Sequence, residues 1–152
     1  QNASDASQFL WNLHLAGSLQ LDFRPIHAVL GYHMPCRVKA LDIGSPSEDL
    51  LRLIPGLTVR SLETGCSGMA GTFGLKRENY RTSLRAGWGL IDRLRHRKIQ
   101  AGTTECSTCK IQMEQGTTKP TIHPIKLLAA AYGLYPGGLT RLFREGRDLV
   151  VT

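Results

Sequence analysis

The feature that most limits how this chain can fold is the alternation of short apolar segments with longer segments of helical period. Residues 26–32 (Ile-His-Ala-Val-Leu-Gly-Tyr), 57–62, 98–104 and 118–122 have the length and apolar character of strands and are bounded by Gly, Pro, Ser or Thr. Residues 6–19, 47–53, 79–97, 110–115 and 124–132 read as helices. In the first of these Phe9, Leu10, Leu13 and Leu19 share a broad face; in the 79–97 helix Leu84, Trp88, Ile91 and Leu94 form a stripe. Trp11 and Trp88 therefore read as core residues. Asp5 and Ser47 are candidate N-caps, and Pro124 suits a first helical position. Strands alternating with helices predict an α/β fold: a layered, Rossmann-like domain with a mainly parallel sheet of about four strands flanked by helices and right-handed crossovers. The expected organisation is an N-terminal helical extension over 1–24, a main domain over 25–135, and a tail over 136–152. That tail carries a short basic helical stretch and an apolar end, Leu149-Val150-Val151. Residues 1–4 are set aside from fold reasoning.

Composition narrows the function classes. Hydrophobic residues at 41% and charged residues at 20% suit a globular chain and argue against disorder. The net charge of +7 raises nucleic acid as a partner. The bases are mostly scattered, however, and aromatic side chains are not interleaved with them as single-strand binders require. The dense run Arg93, Arg95, Arg97, Lys98 falls at a predicted helix end, where cations complement the dipole, and reads as a solvated terminus, with docking of an acidic partner protein as the alternative. No apolar run reaches membrane-span length, and no basic n-region precedes an apolar stretch as in a signal peptide. A cytoplasmic location is the expectation. Four cysteines without an export signal point to a reducing compartment, where metal or redox chemistry outranks a disulfide framework.

The positions of those cysteines carry the functional argument. Cys36, Cys66 and Cys106 each fall just beyond the C-terminal end of a predicted strand, and His123 falls beyond the fourth. In a parallel sheet all such ends face one edge, where ligands bind at the switch in strand order. Cys106-x-x-Cys109 is a metal-ligand spacing that lets two sulfurs aim at one centre from a turn entering a helix. With Cys36 and Cys66 it makes four thiols, enough for a tetrahedral zinc site or a 4Fe–4S iron–sulfur cluster. Gly65, Gly68, Gly71 and Gly74 do not form a Walker loop, since no Lys-Ser/Thr closes the run. They read as tight backbone wrapping around the site, with N–H groups available to sulfur. His33 and His123 sit at the same predicted edge. Because the thiols already fill four positions, both read as hydrogen-bonding neighbours of the ligands or as structural histidines. His14, His27 and His96 carry no motif.

Several segments also resemble a known family. Tyr32-His33-Met34-Pro35-Cys36 is similar to its Y-H-x-P-C opening, and Leu53-Ile54-Pro55-Gly56-Leu57 to its helix-to-strand link. Cys66-Ser67-Gly68-Met69-Ala70-Gly71-Thr72-Phe73-Gly74 resembles the C-C-G-x-A-G-x-x-G block that names it, and Lys76-Arg77-Glu78-Asn79-Tyr80 the segment after it. Cys106-Ser107-Thr108-Cys109-Lys110 and Ile122-His123-Pro124-Ile125 resemble its closing motifs. The family is the CCG, or cysteine-rich, domain. It is found in one subunit of heterodisulfide reductase, in one subunit of anaerobic glycerol-3-phosphate dehydrogenase and in the C-terminal regions of FAD-linked oxidases. The resemblance implies an electron relay: a flavin elsewhere oxidises a 2-hydroxy acid or glycerol phosphate, and electrons pass through iron–sulfur centres toward a quinone-linked acceptor. It implies cluster ligation by Cys36, Cys66, Cys106 and Cys109, with His33, Ser67, Gly68 and His123 around them. It also implies partner domains or subunits that bind FAD or carry a ferredoxin-like cysteine run. This sequence departs from the pattern in having Ser67 where the family has its second adjacent cysteine, which argues against a non-cubane cluster. It has one such unit and no ferredoxin run, and is expected to be the C-terminal part of a larger protein.

Three functions remain in competition at this level. The first is an iron–sulfur electron-transfer domain without turnover of its own. The second is a zinc-stabilised interaction domain with the same ligands. The third is a thiol–disulfide enzyme working through Cys106 and Cys109, which would leave Cys36 and Cys66 without a role. No G-x-G-x-x-G follows a strand, so FAD is expected only on the parent protein.

Overall fold

Four strands assemble in the order β2-β1-β3-β4, every pair parallel: β1 (Ala28–Tyr32), β2 (Leu57–Ser61), β3 (Ala101–Thr103) and β4 (Thr121–Ile122). The computed structural model describes residues 4–62 and 64–143. The expected α/β class and parallel sheet are therefore observed. The register aligns the strand ends in a row: Tyr32 is opposite Ser61 on one side and Thr103 on the other, and Thr103 is opposite Ile122. After β1 the chain goes to one side for β2 and to the other for β3. The switch point, where loops diverge and leave a crevice, thus lies at the carboxyl end of β1.

Helices cover both faces. On one side α1 (Ala6–Leu15) packs on α3 (Pro46–Arg52), and α3 on α6 (Pro124–Ala131). Their apolar residues close over Ala28 and Leu30 in a core with Leu50, Leu51, Ile54 and Leu127. Leu142, from the short helix α7 (Gly138–Leu142), joins the same core. The opposite face is covered by α4 (Tyr80–Arg95) and α5 (Ser107–Thr117), with Leu62, Leu90, Leu94, Ile99 and Met113 between them and the sheet. A further short helix, α2 (Cys36–Leu41), follows β1 directly.

Several expectations need correction. Trp88 is not core: it is 52% exposed, with the Arg95 guanidinium 5.0 Å from its ring centroid. The buried stripe of α4 is Ser83, Gly87, Leu90, Ile91 and Leu94, offset from the expected one because small residues, not large ones, face the neighbouring chain at its N-terminal half. Phe9 is likewise exposed, while Trp11 does pack partly against the core. Helix α3 begins after Ser45. Ser47 lies inside it, buried, and its hydroxyl donates to the Ser7 hydroxyl of α1 at 2.7 Å. The glycine-rich stretch is a loop that ends in two 3₁₀ turns, Phe73–Leu75 and Arg77–Asn79. The basic, apolar-ended tail beyond residue 143 lies outside the described residues.

Close contact between that loop and α4 explains the buried glycine. A Cβ on Gly87 would collide with the Ser67 carbonyl oxygen, and a Cβ on Gly68 (φ +89°) with the Ser83 carbonyl oxygen. The loop thus lies directly on the helix backbone. Gln112 of α5 ties the same place, its amide donating to the Ser83 carbonyl at 3.1 Å. At the other end of α4 the Lys119 ammonium donates to the carbonyls of Leu94 (2.7 Å), His96 (2.9 Å) and Ile99 (2.7 Å), closing the helix terminus.

Gly87→Ala tests the contact. Helix propensity favours alanine by up to about 1 kcal/mol, but overpacking against rigid backbone costs about 1–3 kcal/mol, so a net loss of about 1–2 kcal/mol is expected in urea unfolding. Gly89→Ala, where nothing lies within 4 Å, is expected to be neutral or stabilising by up to about 1 kcal/mol.

Candidate metal centre

All four thiols line one cavity of about 450 Å³ at the carboxyl edge of the sheet. Cys36 enters as the first residue of α2, directly after the Pro35 N-cap. Cys66 sits in the loop after β2. Cys106 is the N-cap of α5, and Cys109 lies in that helix's first turn. His33, Met34, Gly65, Ser67 and Thr108 complete much of the wall, and Arg37 and Lys39 place positive charge there. Three strand ends flanking the switch point thus contribute sulfur to one space. Cys36 and Cys66 are exposed, Cys106 is half-buried and Cys109 is buried.

The thiols differ in their surroundings. The amide N–H of Gly68 donates to Cys66 Sγ at 3.3 Å, and the Ser67 hydroxyl donates to Cys109 Sγ at 3.2 Å. Cys106 Sγ lies 3.2 Å from the Thr108 hydroxyl. Burial raises the Cys106 pKa, but hydrogen bonds from the Thr108 hydroxyl, the Cys109 amide and thiol, and the Thr108 amide outweigh it, and the net shift is downward. Cys109 is pushed up to about 12, chiefly by burial; the Ser67 hydrogen bond opposes this, and Cys106 and Cys66 add to it. Among the described residues no three His, Cys, Asp or Glu side chains gather closely enough to hold a single metal ion.

The donor set and its setting fit an iron–sulfur cluster. Such a cluster takes one thiolate per iron, and N–H and O–H groups directed at sulfur offset its negative charge; both Cys66 and Cys109 have such donors. The residues that would hold it are Cys36, Cys66, Cys106 and Cys109.

The two histidines part company. His33 is 2% exposed and lines the cavity, and its Nδ1 has no hydrogen-bond partner. Burial, with a smaller contribution from Lys39, lowers its pKa to about 4. His123 does not line the thiol cavity. It borders a separate depression of about 180 Å³ on which Cys106, Glu105 and Lys110 also open, and its Nδ1 caps α6 by accepting from the Ile125 amide at 3.2 Å. The reason is topological: β4 is the outer strand, a step beyond the switch point.

Two supports behind the cavity have no counterpart in the sequence reading. The Tyr32 hydroxyl donates to Glu105 Oε1 at 2.9 Å, tying the residue before Cys106 to the end of β1. Burial, reinforced by the Glu105 carboxylate, raises the Tyr32 pKa. Arg37, next to Cys36, contacts Asp5 at 3.6 Å and donates to the Glu105 carbonyl at 3.5 Å. The available signal is adjacency: Arg37 and Glu105 are next to cysteines and Tyr32 ends a predicted strand.

No protein-family model matches the chain, and no solved structure matches it. The chain is 37% identical over 126 residues to a subunit of anaerobic glycerol-3-phosphate dehydrogenase from Escherichia coli K12, and equally to the same subunit from Escherichia coli O157:H7. The match covers 83% of this chain and 32% of each relative, so the chain spans about a third of the curated relatives' length and is homologous to them over most of its own.

Two outcomes follow for the metal-free protein. Pulse alkylation at pH 8 read by peptide mass mapping should modify Cys106 well before Cys109; equal rates would contradict the burial of Cys109. Acid should destabilise the fold through His33. Its pKa falls from 6.5 unfolded to about 4 folded, so stability is full above pH 6.5 and is lost as pH falls toward 4. The limiting loss is on the order of 3 kcal/mol. In His33→Gln the part of the acid limb between those values should flatten in thermal melts.

Proposed function

We propose that this chain is the iron–sulfur electron-transfer domain of a larger FAD-linked oxidoreductase, a CCG-type cysteine-rich domain in which Cys36, Cys66, Cys106 and Cys109 hold a 4Fe–4S cluster. The observation that carries this reading is the meeting of four thiols from three strand ends around one cavity of about 450 Å³. A bound cluster supplies one-electron transfer. The protein's own part is to deliver four sulfurs, to direct the Gly68 amide and Ser67 hydroxyl at two of them, and to shield Cys109 from water. Ser67 in place of a second adjacent cysteine favours a cubane over cluster types that use the doubled thiol.

Similarity to a subunit of anaerobic glycerol-3-phosphate dehydrogenase supports a place in a flavin-linked dehydrogenase acting on glycerol phosphate or a 2-hydroxy acid. Electrons would arrive from FAD-binding and ferredoxin-like domains or subunits and leave toward a quinone-linked acceptor. No described helix is long and apolar enough to cross a membrane, which is compatible with a cytoplasmic domain reaching a membrane acceptor through its partners. By itself the domain is expected to turn over no substrate.

Anaerobic reconstitution with iron and sulfide tests the assignment. Wild-type protein should develop visible thiolate-to-iron absorption that bleaches on dithionite addition, and Cys36→Ala, Cys66→Ala, Cys106→Ala or Cys109→Ala should each lose most of it. Stoichiometric zinc with no iron, in protein purified and kept free of air, would establish the interaction-domain reading instead.

A further inference from the structure

Ser67 is buried more deeply than any of the thiols around it, at 1% exposure, and its hydroxyl is directed at Cys109 Sγ, 3.2 Å away. Nothing in the backbone requires a hydroxyl here. The loop that carries it is fixed on α4 by Gly87, which admits the Ser67 carbonyl, and by Gly68, which lies against the Ser83 carbonyl. With its main chain held on a helix, Ser67 presents its O–H to a sulfur that has already lost nearly all contact with water: Cys109 is 6% exposed. A buried thiolate with no water to solvate it is stabilised strongly by a single donor, because the same low dielectric that penalises its charge strengthens the hydrogen bond.

We infer that Ser67 is a positioning residue that sets the reduction potential of the bound cluster by donating its hydroxyl hydrogen bond to the Cys109 sulfur. This rests on the cluster reading above. Each added electron increases the negative charge shared between iron and sulfur. A donor aimed at a ligand sulfur therefore stabilises the reduced state more than the oxidised one and raises the potential. The effect falls on Cys109 and not on Cys66, whose donor is the Gly68 backbone amide and is insensitive to side-chain change. Of the two sulfur-directed donors on the cysteine loop, one is a side chain and the other is backbone.

The test uses the full chain, reconstituted anaerobically, as wild type, Ser67→Ala and Ser67→Thr. Iron and sulfide content and the visible spectrum are read first, then the midpoint potential by spectroelectrochemical titration. Wild type and both variants should load equally; Ser67→Ala should titrate at a more negative potential and Ser67→Thr, which keeps the hydroxyl, should return toward wild type. An unchanged potential in a fully loaded Ser67→Ala protein overturns the inference while leaving the cluster reading intact. Loss of the cluster from Ser67→Ala with a folded circular-dichroism spectrum also overturns it, since Ser67 would then be needed for holding the cluster rather than for tuning it. Failure of wild type itself to load iron removes the cluster reading and the inference together.

Discussion

Parallel pairing is the constraint on which the rest of this structure depends. A parallel sheet must end all its strands at one edge, so whatever side chain follows each strand is delivered to the same side of the molecule. In this chain the row Ser61, Tyr32, Thr103, Ile122 marks that edge. Cysteines follow the first three positions of that row and a histidine follows the last. The cavity sits where the chain diverges to either side of β1, and the outer strand's histidine is left in its own depression. One topological fact explains both which residues meet and which one does not.

The second layer of the design is close backbone packing. Gly68 and Gly87 bring the cysteine loop onto α4 with no side chain between them, and Gln112 ties α5 to the same point. Tyr32 and Arg37 tie the Cys106 turn to the β1 end and the Cys36 helix to the Cys106 turn. Three of the sulfurs are thus placed by helix N-termini and the fourth by a loop fixed on α4, which is what a ligand set needs if its geometry is to survive a change of charge.

Much of this is legible in the sequence, and the failures have physical causes. Strand positions and the convergence of the thiols follow from apolar runs such as 26–32 and from what comes after them. The orientation of α4 does not, because hydrophobic periodicity locates a buried face only where packing is between large side chains. Here Ser83 and Gly87 face inward to admit a backbone, and Trp88 faces water beneath Arg95. Helix α2 escapes a periodicity reading because six residues carry too little period to register. Ser47 resembles a cap by type, yet its hydroxyl is used between helices. The Tyr32–Glu105 bond joins residues far apart in sequence, and no local pattern announces such a pair.

The central claim is that Cys36, Cys66, Cys106 and Cys109 hold one polynuclear centre in the shared cavity. Iron K-edge X-ray absorption fine structure of the anaerobically loaded chain addresses it most directly. The account predicts an all-sulfur first shell together with an iron–iron shell. A first shell containing oxygen or nitrogen in place of the protein thiolates, or an all-sulfur shell with no iron neighbour, would contradict it.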